Sequence, residues 1–306
     1  MLRLRALLLA IFAGLGCLAL LVSRSDATPE TVKVVAPGVW FREGNLLDLG
    51  HCNNIFIEMK DYMIVVDANF PSGARAAMAD AHRISPKPVK YVFDTHHHGD
   101  HLYGNVLWTR AGATTLAFQG VADELKRLEP ARWREAEKTR ADVAELKQDG
   151  PEPPKQDIQE NIYVLNDGSR KVEFHHYGWA HTRGDGFIYL PKEQVLCTGD
   201  AVVNGPYNFT GDGNIANWPN VLAAAAKLKV RTVLPGHGLP GGKELIVGQA
   251  EFMTEILKAV KAGVQEGKTP EQIQAGLKLP EAVANWVSEA SLKGQVRDAY
   301  REAGGK

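Results

Sequence analysis

Two β-sheets packed face to face and flanked by helices are the expected architecture of this α/β chain, on three observations. After residue 27 the sequence falls into two successive strand-rich halves, each followed by helical segments, an order that suits a layered sandwich. Turn residues separate the apolar runs, as meandering or mixed sheets require. The 306 residues, 44% hydrophobic and 23% charged, are enough for a substantial core in one large domain or two smaller ones.

Taken in order, residues 1–27 stand apart. Arg3 and Arg5 give a positive start, residues 6–22 are apolar without interruption, and Ser25 and Ala27 supply the small residues of a cleavage site before Thr28. This reads as an export signal. The other reading is a retained anchor, for which the apolar run is at the short end. Strands are expected at 38–42, 54–58 and 62–68, then a helix over 72–85 with Ser72 as its N-cap and Pro86 beyond its end. The apolar segment 89–94 is the next strand.

Residues 120–156 form a charged helical insertion, in which Leu125, Leu128, Val143 and Leu146 recur at helical spacing and Pro130 is expected to divide two helices. A Pro-rich linker over 149–155 ends it. Strands follow at 171–175, 186–190 and 194–198, a helix at 218–228, a strand at 231–234 and a long helix at 244–263. A C-terminal extension, 269–306, supplies two or three more helices. The domain boundaries expected are therefore 1–27 for the signal and 28–306 for the folded part.

Net charge is −1 with no basic block, which gives no support to a nucleic-acid partner. Without its signal the chain needs no membrane. Export leaves Cys52 and Cys197, which an oxidising compartment would permit to pair; the core-like strand around Cys197 favours a small packing residue instead.

The chemistry is concentrated at His96-His97-His98-Gly99-Asp100-His101, directly after an apolar strand. Residues two apart in extended chain point to one side, so His96 and His98 can grip one ion, while Asp100 and His101 turn at Gly99 toward a neighbour. Imidazoles with a carboxylate suit a borderline divalent ion such as zinc. Three further segments put a His or Asp beside glycine at a strand end: His181 with Asp185, Asp200 after Thr198-Gly199, and His237 after Gly236.

This ordered set resembles the metallo-β-lactamase-fold superfamily over about residues 38–242. The resemblance implies an αββα sandwich of two mixed β-sheets and a dinuclear metal centre. By it, His96, His98 and His181 bind the first ion, Asp100, His101 and His237 the second, and Asp200 bridges both, with two Zn2+ per chain or iron or manganese in their place. Asp67 braces the histidine loop, and His97 points away. His175 and His176 are read as structural or solvent-facing, and His51 as a polar residue at the surface, with a pocket role as the other reading. Tyr207, Asn208 and Phe209 are candidate pocket residues.

The implied activity is hydrolysis of an ester, thioester, lactone or related bond of a small molecule by a hydroxide shared between the ions, with Asp100 and Asp200 as catalytic carboxylates. In typical zinc β-lactamases of the family the Asp200 position is cysteine or serine, and relatives with the cysteine place a lysine three residues later, where this chain has Val203. Both departures count against cleavage of β-lactam amides, which remains the alternative, together with an exported metal-binding protein that does no catalysis. His98 stands where di-iron flavoprotein relatives carry glutamate, which argues against a redox role. Periplasmic or secreted placement follows from the signal.

Overall fold

In the computed structural model, which describes residues 32–305, the alternating apolar runs assemble into two sheets. The export signal and cleavage site expected from the sequence lie outside the described residues. The first sheet runs in chain order: β1 (Val32–Ala36), β2 (Val39–Arg42), β3 (Asn54–Glu58), β4 (Met63–Val66), β5 (Val89–Phe93), β6 (Thr114–Phe118) and β7 (Gln156–Ile158). β1 to β4 are an antiparallel meander, and β4 to β7 pair in parallel. The second sheet contains β8 (Ile162–Asn166), β9 (Lys171–His175), β10 (Phe187–Leu190), β11 (Val195–Cys197) and β12 (Thr232–Leu234), in the spatial order β12-β11-β10-β9-β8. Only β11 and β12 pair in parallel there.

The two sheets bury Phe41, Ile57, Val66, Phe93 and Phe118 of one against Phe174, Ile188, Val195 and Leu234 of the other. Strands buried on both faces lose the alternation of a half-solvated strand and read as continuous apolar runs, as Met63–Val66 does. The helices α1 (Leu46–Leu49), α2 (Pro71–Ile84), α3 (Gly99–Leu102), α4 (Asn105–Arg110), α5 (Gln119–Thr139) and α6 (Ala141–Ala144) follow strands of the first half. The second half supplies α7 (Trp218–Ala225), α8 (Glu244–Gln265), α9 (Pro270–Gly276) and α10 (Glu289–Glu302). On the outside, α2 and α4 pack Ala74, Ala77, Ala81 and Trp108 onto Phe56, Val65 and Val92. On the opposite outside, Trp218, Leu222, Phe252, Ile256 and Val296 cover Phe187, Leu196 and Val233. The result is the expected αββα order of layers.

Three local expectations are corrected, and one strand appears that the sequence did not predict. α2 starts at Pro71, one residue before Ser72, and Ser72 does not cap it: its hydroxyl instead donates to Asp142 at 2.6 Å. Pro130 does not divide the insertion; α5 runs through it, because Val121, Leu125, Glu129 and Trp133 bury a continuous face on both sides of the proline. The strand β8 escaped the sequence reading because it is an edge, with Ile162 and Val164 exposed and no clean apolar face. His51 is not at the surface, being 2% exposed, with Nε2 2.8 Å from Ser72 Oγ. Both cysteines are buried and unpaired.

Burial, then Arg42 and Arg140, push His51 down to about 4 from an ordinary 6.5. As pH falls below 6.5 the unfolded chain takes up this proton before the folded chain does. The stabilisation is therefore complete above 6.5 and is lost toward pH 4, about 3 kcal/mol in all. Denaturant titrations at pH 7 and pH 4.5 are expected to show a smaller drop for His51→Gln than for the parent; equal drops would remove His51 from the acid sensitivity.

Candidate metal centre

β4, β5, β11 and β12 are the strands whose C-terminal ends meet at one rim, and each delivers part of the site. After β4 the chain takes a left-handed turn at Asp67 (φ 66°), a conformation aspartate tolerates better than most residues. This places its carboxylate under the histidine loop, where Oδ1 accepts the Thr95 N–H at 2.8 Å and Oδ2 accepts from His101 Nδ1 at 2.8 Å. With Nδ1 committed to Asp67, His101 turns Nε2 inward, the atom that would hold a cation.

His96 Nε2 and His181 Nε2 lie 3.1 Å and 3.0 Å from His98 Nδ1. On the other side, His237 Nε2 lies 3.0 Å from Asp100 Oδ2 and 3.4 Å from His101 Nε2. Asp200 stands between the groups, with Oδ2 3.4 Å from His237 and 3.9 Å from His181, and Oδ1 3.4 Å from His101. All seven residues expected as ligands therefore meet. Close packing at Asp200 requires two glycines: Gly199 takes φ +49° against Thr95, and a Cβ on Gly236 would overlap Asp200 Oδ1. His181 is set by Asp185, whose carboxylate accepts the backbone N–H groups of His181 at 2.7 Å and Thr182 at 2.9 Å.

The donor set fits divalent cations. Three imidazole nitrogens converge on one buried point, where at most one pair could share a proton. Burial, then His101, His98 and the other imidazoles, hold His96 well below the usual imidazole range. Burial and His98 lower His181 to about 3. These are neutral rings with lone pairs facing one another, an arrangement a cation stabilises. On the second side burial disfavours charge, yet His237 and His101 overcome it and lower Asp200 to about 2. Asp200 and Asp100 in turn overcome burial at His237 and raise it to about 9. In addition, Asp200 Oδ1 is buried without a hydrogen-bond partner among the described residues.

His97 points away from the cluster, toward Asp212 at 3.3 Å and Glu129 at 3.6 Å. His175 stacks on Tyr177, and His176 Nδ1 reaches the Asp185 carbonyl. Tyr207 and Phe209 line a cavity of about 370 Å³ above the site, with Phe70, Tyr103 and Ala136. Asn208 does not; its side chain is buried and accepts from Gln249 Nε2 at 2.7 Å.

Sequence reasoning missed Asp212, which accepts from His98 Nε2 at 2.9 Å and thereby leaves Nδ1 free to face His96 and His181. Arg132 of α5 grips Asp212 through both terminal guanidinium nitrogens, at 2.7 and 2.9 Å. An aspartate between two glycines, Gly211 and Gly213, was the one available signal.

Layers and site together define an αββα protein with a histidine- and aspartate-rich metal-binding rim. The chain belongs to the metallo-beta-lactamase superfamily, whose family model matches residues 47–237, and its coarse function is that of a hydrolase of that superfamily. It is 24% identical over 207 residues to a metallo-beta-lactamase type 2 of Bacillus sp. (strain 170), covering 66% of this chain and 72% of that one. With a metallo-beta-lactamase type 2 of Bacteroides fragilis it shares 26% over 118 residues, covering 37% and 47%. The solved metallo-beta-lactamase from Pontibacter korlensis superposes with a TM-score of 0.60 at 18% identity, over 73% of this chain and 98% of that one. A stereoselective inverting sec-alkylsulfatase from Pseudomonas sp. gives a TM-score of 0.71 at 19% identity, over 89% of this chain and 50% of that one. Both structural likenesses concern the fold.

Proposed function

We propose that this chain is a dinuclear zinc hydrolase that opens an ester, thioester or lactone bond of a small molecule. The observation that carries this reading is Asp200, a single buried carboxylate within 3.9 Å of His181 on one side and 3.4 Å of His237 on the other. Closed structural sites hold one ion with four protein ligands, whereas this rim offers seven donors on two sides and opens to a cavity. His96, His98 and His181 would hold one cation, Asp100, His101 and His237 the second, and Asp200 both. Such cations supply Lewis acidity, acidifying a water and polarising the bond under attack.

The chain's own residues set the geometry. Asp67 and Asp212 fix the tautomers of His101 and His98, so that lone pairs and not protons point inward. Asp100, partly exposed to the cavity, orients the attacking water and can carry its proton to the leaving group. Phe209 and Tyr207 place aromatic ring surface above the site. The apolar leader of the sequence supports placement in the periplasm or outside the cell.

The β-lactamase names of the two sequence relatives favour a second reading, cleavage of β-lactam amides. Val203, where a carboxylate-binding lysine would be needed, is fully buried and offers no cation. A panel of lactones, thioesters, aryl esters, β-lactams and phosphodiesters on the zinc-reconstituted chain tests the choice. Ester or lactone turnover is expected to vanish on chelation and return with zinc. Faster β-lactam turnover would transfer the assignment to the second reading, and no turnover at all would leave a metal-binding protein.

A further inference from the structure

We propose that the cavity selects a neutral substrate with an aromatic or flat apolar group beside the scissile bond, an inference that rests on the hydrolase reading. Two aromatic rings come from one loop and stand over the two halves of the rim. The Phe209 ring lies 5.4 Å from His98 and 6.5 Å from His181, edge to face, while Tyr207 lies 6.2 Å from His237. Phe209 is 49% exposed, so its ring is displayed to the cavity instead of being spent on packing. The loop is nonetheless anchored: Asn208 is bound by Gln249 and Gln295, and Thr210 Oγ1 donates to Asp298 of α10 at 2.8 Å. Phe70 and Tyr103 form the facing wall in an edge-to-face pair at 5.7 Å. A flat apolar group between such walls gains aromatic contacts at little ordering cost.

Charge gives the second half of the selection. Among the described lining residues the arginine or lysine is Arg132 alone, and its guanidinium is already bound by Asp212 at 2.7 Å and by Glu129 at 3.0 Å. Glu129 is fully buried and also accepts from the Tyr103 hydroxyl at 2.6 Å, so the Arg132 charge is compensated twice. At the rim, Arg140 lies over the Phe70 ring and is held by both oxygens of Asp142. An anionic substituent held against the Phe70 and Tyr103 wall, away from the ions and the reacting bond, would be desolvated beside Glu129, where the one arginine among the described lining residues is already committed. Discrimination at that wall then comes from the lack of an uncommitted side-chain cation as much as from the aromatic rings.

The test uses the zinc-loaded chain with phenyl acetate and its para-sulfonated analogue, each rate divided by the rate of the same ester with hydroxide. Binding of the unreactive isosteres acetanilide and para-acetamidobenzenesulfonate is measured in parallel. The neutral ester and the neutral isostere are expected to be preferred by roughly tenfold or more, a difference of about 1.4 kcal/mol. Phe209→Ala is expected to weaken acetanilide binding by a similar factor with zinc content unchanged. Equal or better use of the sulfonates, or an unchanged acetanilide affinity in Phe209→Ala, would overturn the inference. Selective acetanilide binding with neither ester turned over would support the cavity's selectivity and overturn the hydrolase reading.

Discussion

Asp200→Ala is expected to lower both metal occupancy and turnover by at least about 100-fold while the metal-free chain stays folded at a moderate cost in stability. Removing a residue that merely orients a ligand commonly costs 10–100-fold in affinity or activity, so a carboxylate shared by two sites falls at the upper end or beyond it. Stability should respond less. Without metal, Asp200 is a buried anion held by His237 and His101, while Oδ1 has no hydrogen-bond partner among the described residues. Its loss ends that pairing, and the unfolding free energy of the metal-free variant should fall by about 1–3 kcal/mol, the range of an ordinary destabilising substitution. Zinc analysis, initial rates and denaturant unfolding separate the quantities. Unchanged stoichiometry and rate would refute the bridging role.

Asp67 provides the second large effect, and here two variants separate structure from metal binding. Asp67→Ala leaves the buried Thr95 N–H without its acceptor, at a cost of about 1–3 kcal/mol, and adds the strain of a positive φ. It also releases the His101 ring. Asp67→Asn tolerates the left-handed turn, and its carbonyl can still accept the Thr95 N–H. Its NH2 then faces His101 Nδ1, which forces the proton onto Nε2 and removes the lone pair that faces Asp100, Asp200 and His237. The asparagine variant is expected to keep most of its stability yet lose about 10–100-fold in affinity for the second ion. Zinc competition with a chelator checks this; parental affinity in Asp67→Asn would show that the tautomer of His101 does not matter.

What the sequence disclosed and what it hid follow from the range of the interactions. The expected ligands were legible because most of them follow the end of a strand beside a turn, as Asp200 does after Gly199 and His237 after Gly236. The αββα layers were legible for a similar reason, since runs such as Met63–Val66 are apolar throughout when buried on two faces. Asp212 was not, because its partners His98 and Arg132 lie 114 and 80 residues away and nothing local marks the pairing. Pro130 misled because a local rule for helix breaking was overridden by the buried face that includes Glu129 and Trp133. His51 looked like a polar turn residue until Ser72 and Asp142, from two other elements, closed over it.

The central claim is that one rim holds two cations through a shared Asp200. Titrating the metal-free chain with zinc while following hydrolysis of a responsive ester tests it most directly. Two equivalents bound per chain are expected, with the rate rising as the second site fills. A single equivalent, with hydrolysis complete at that point or absent at any loading, would contradict it.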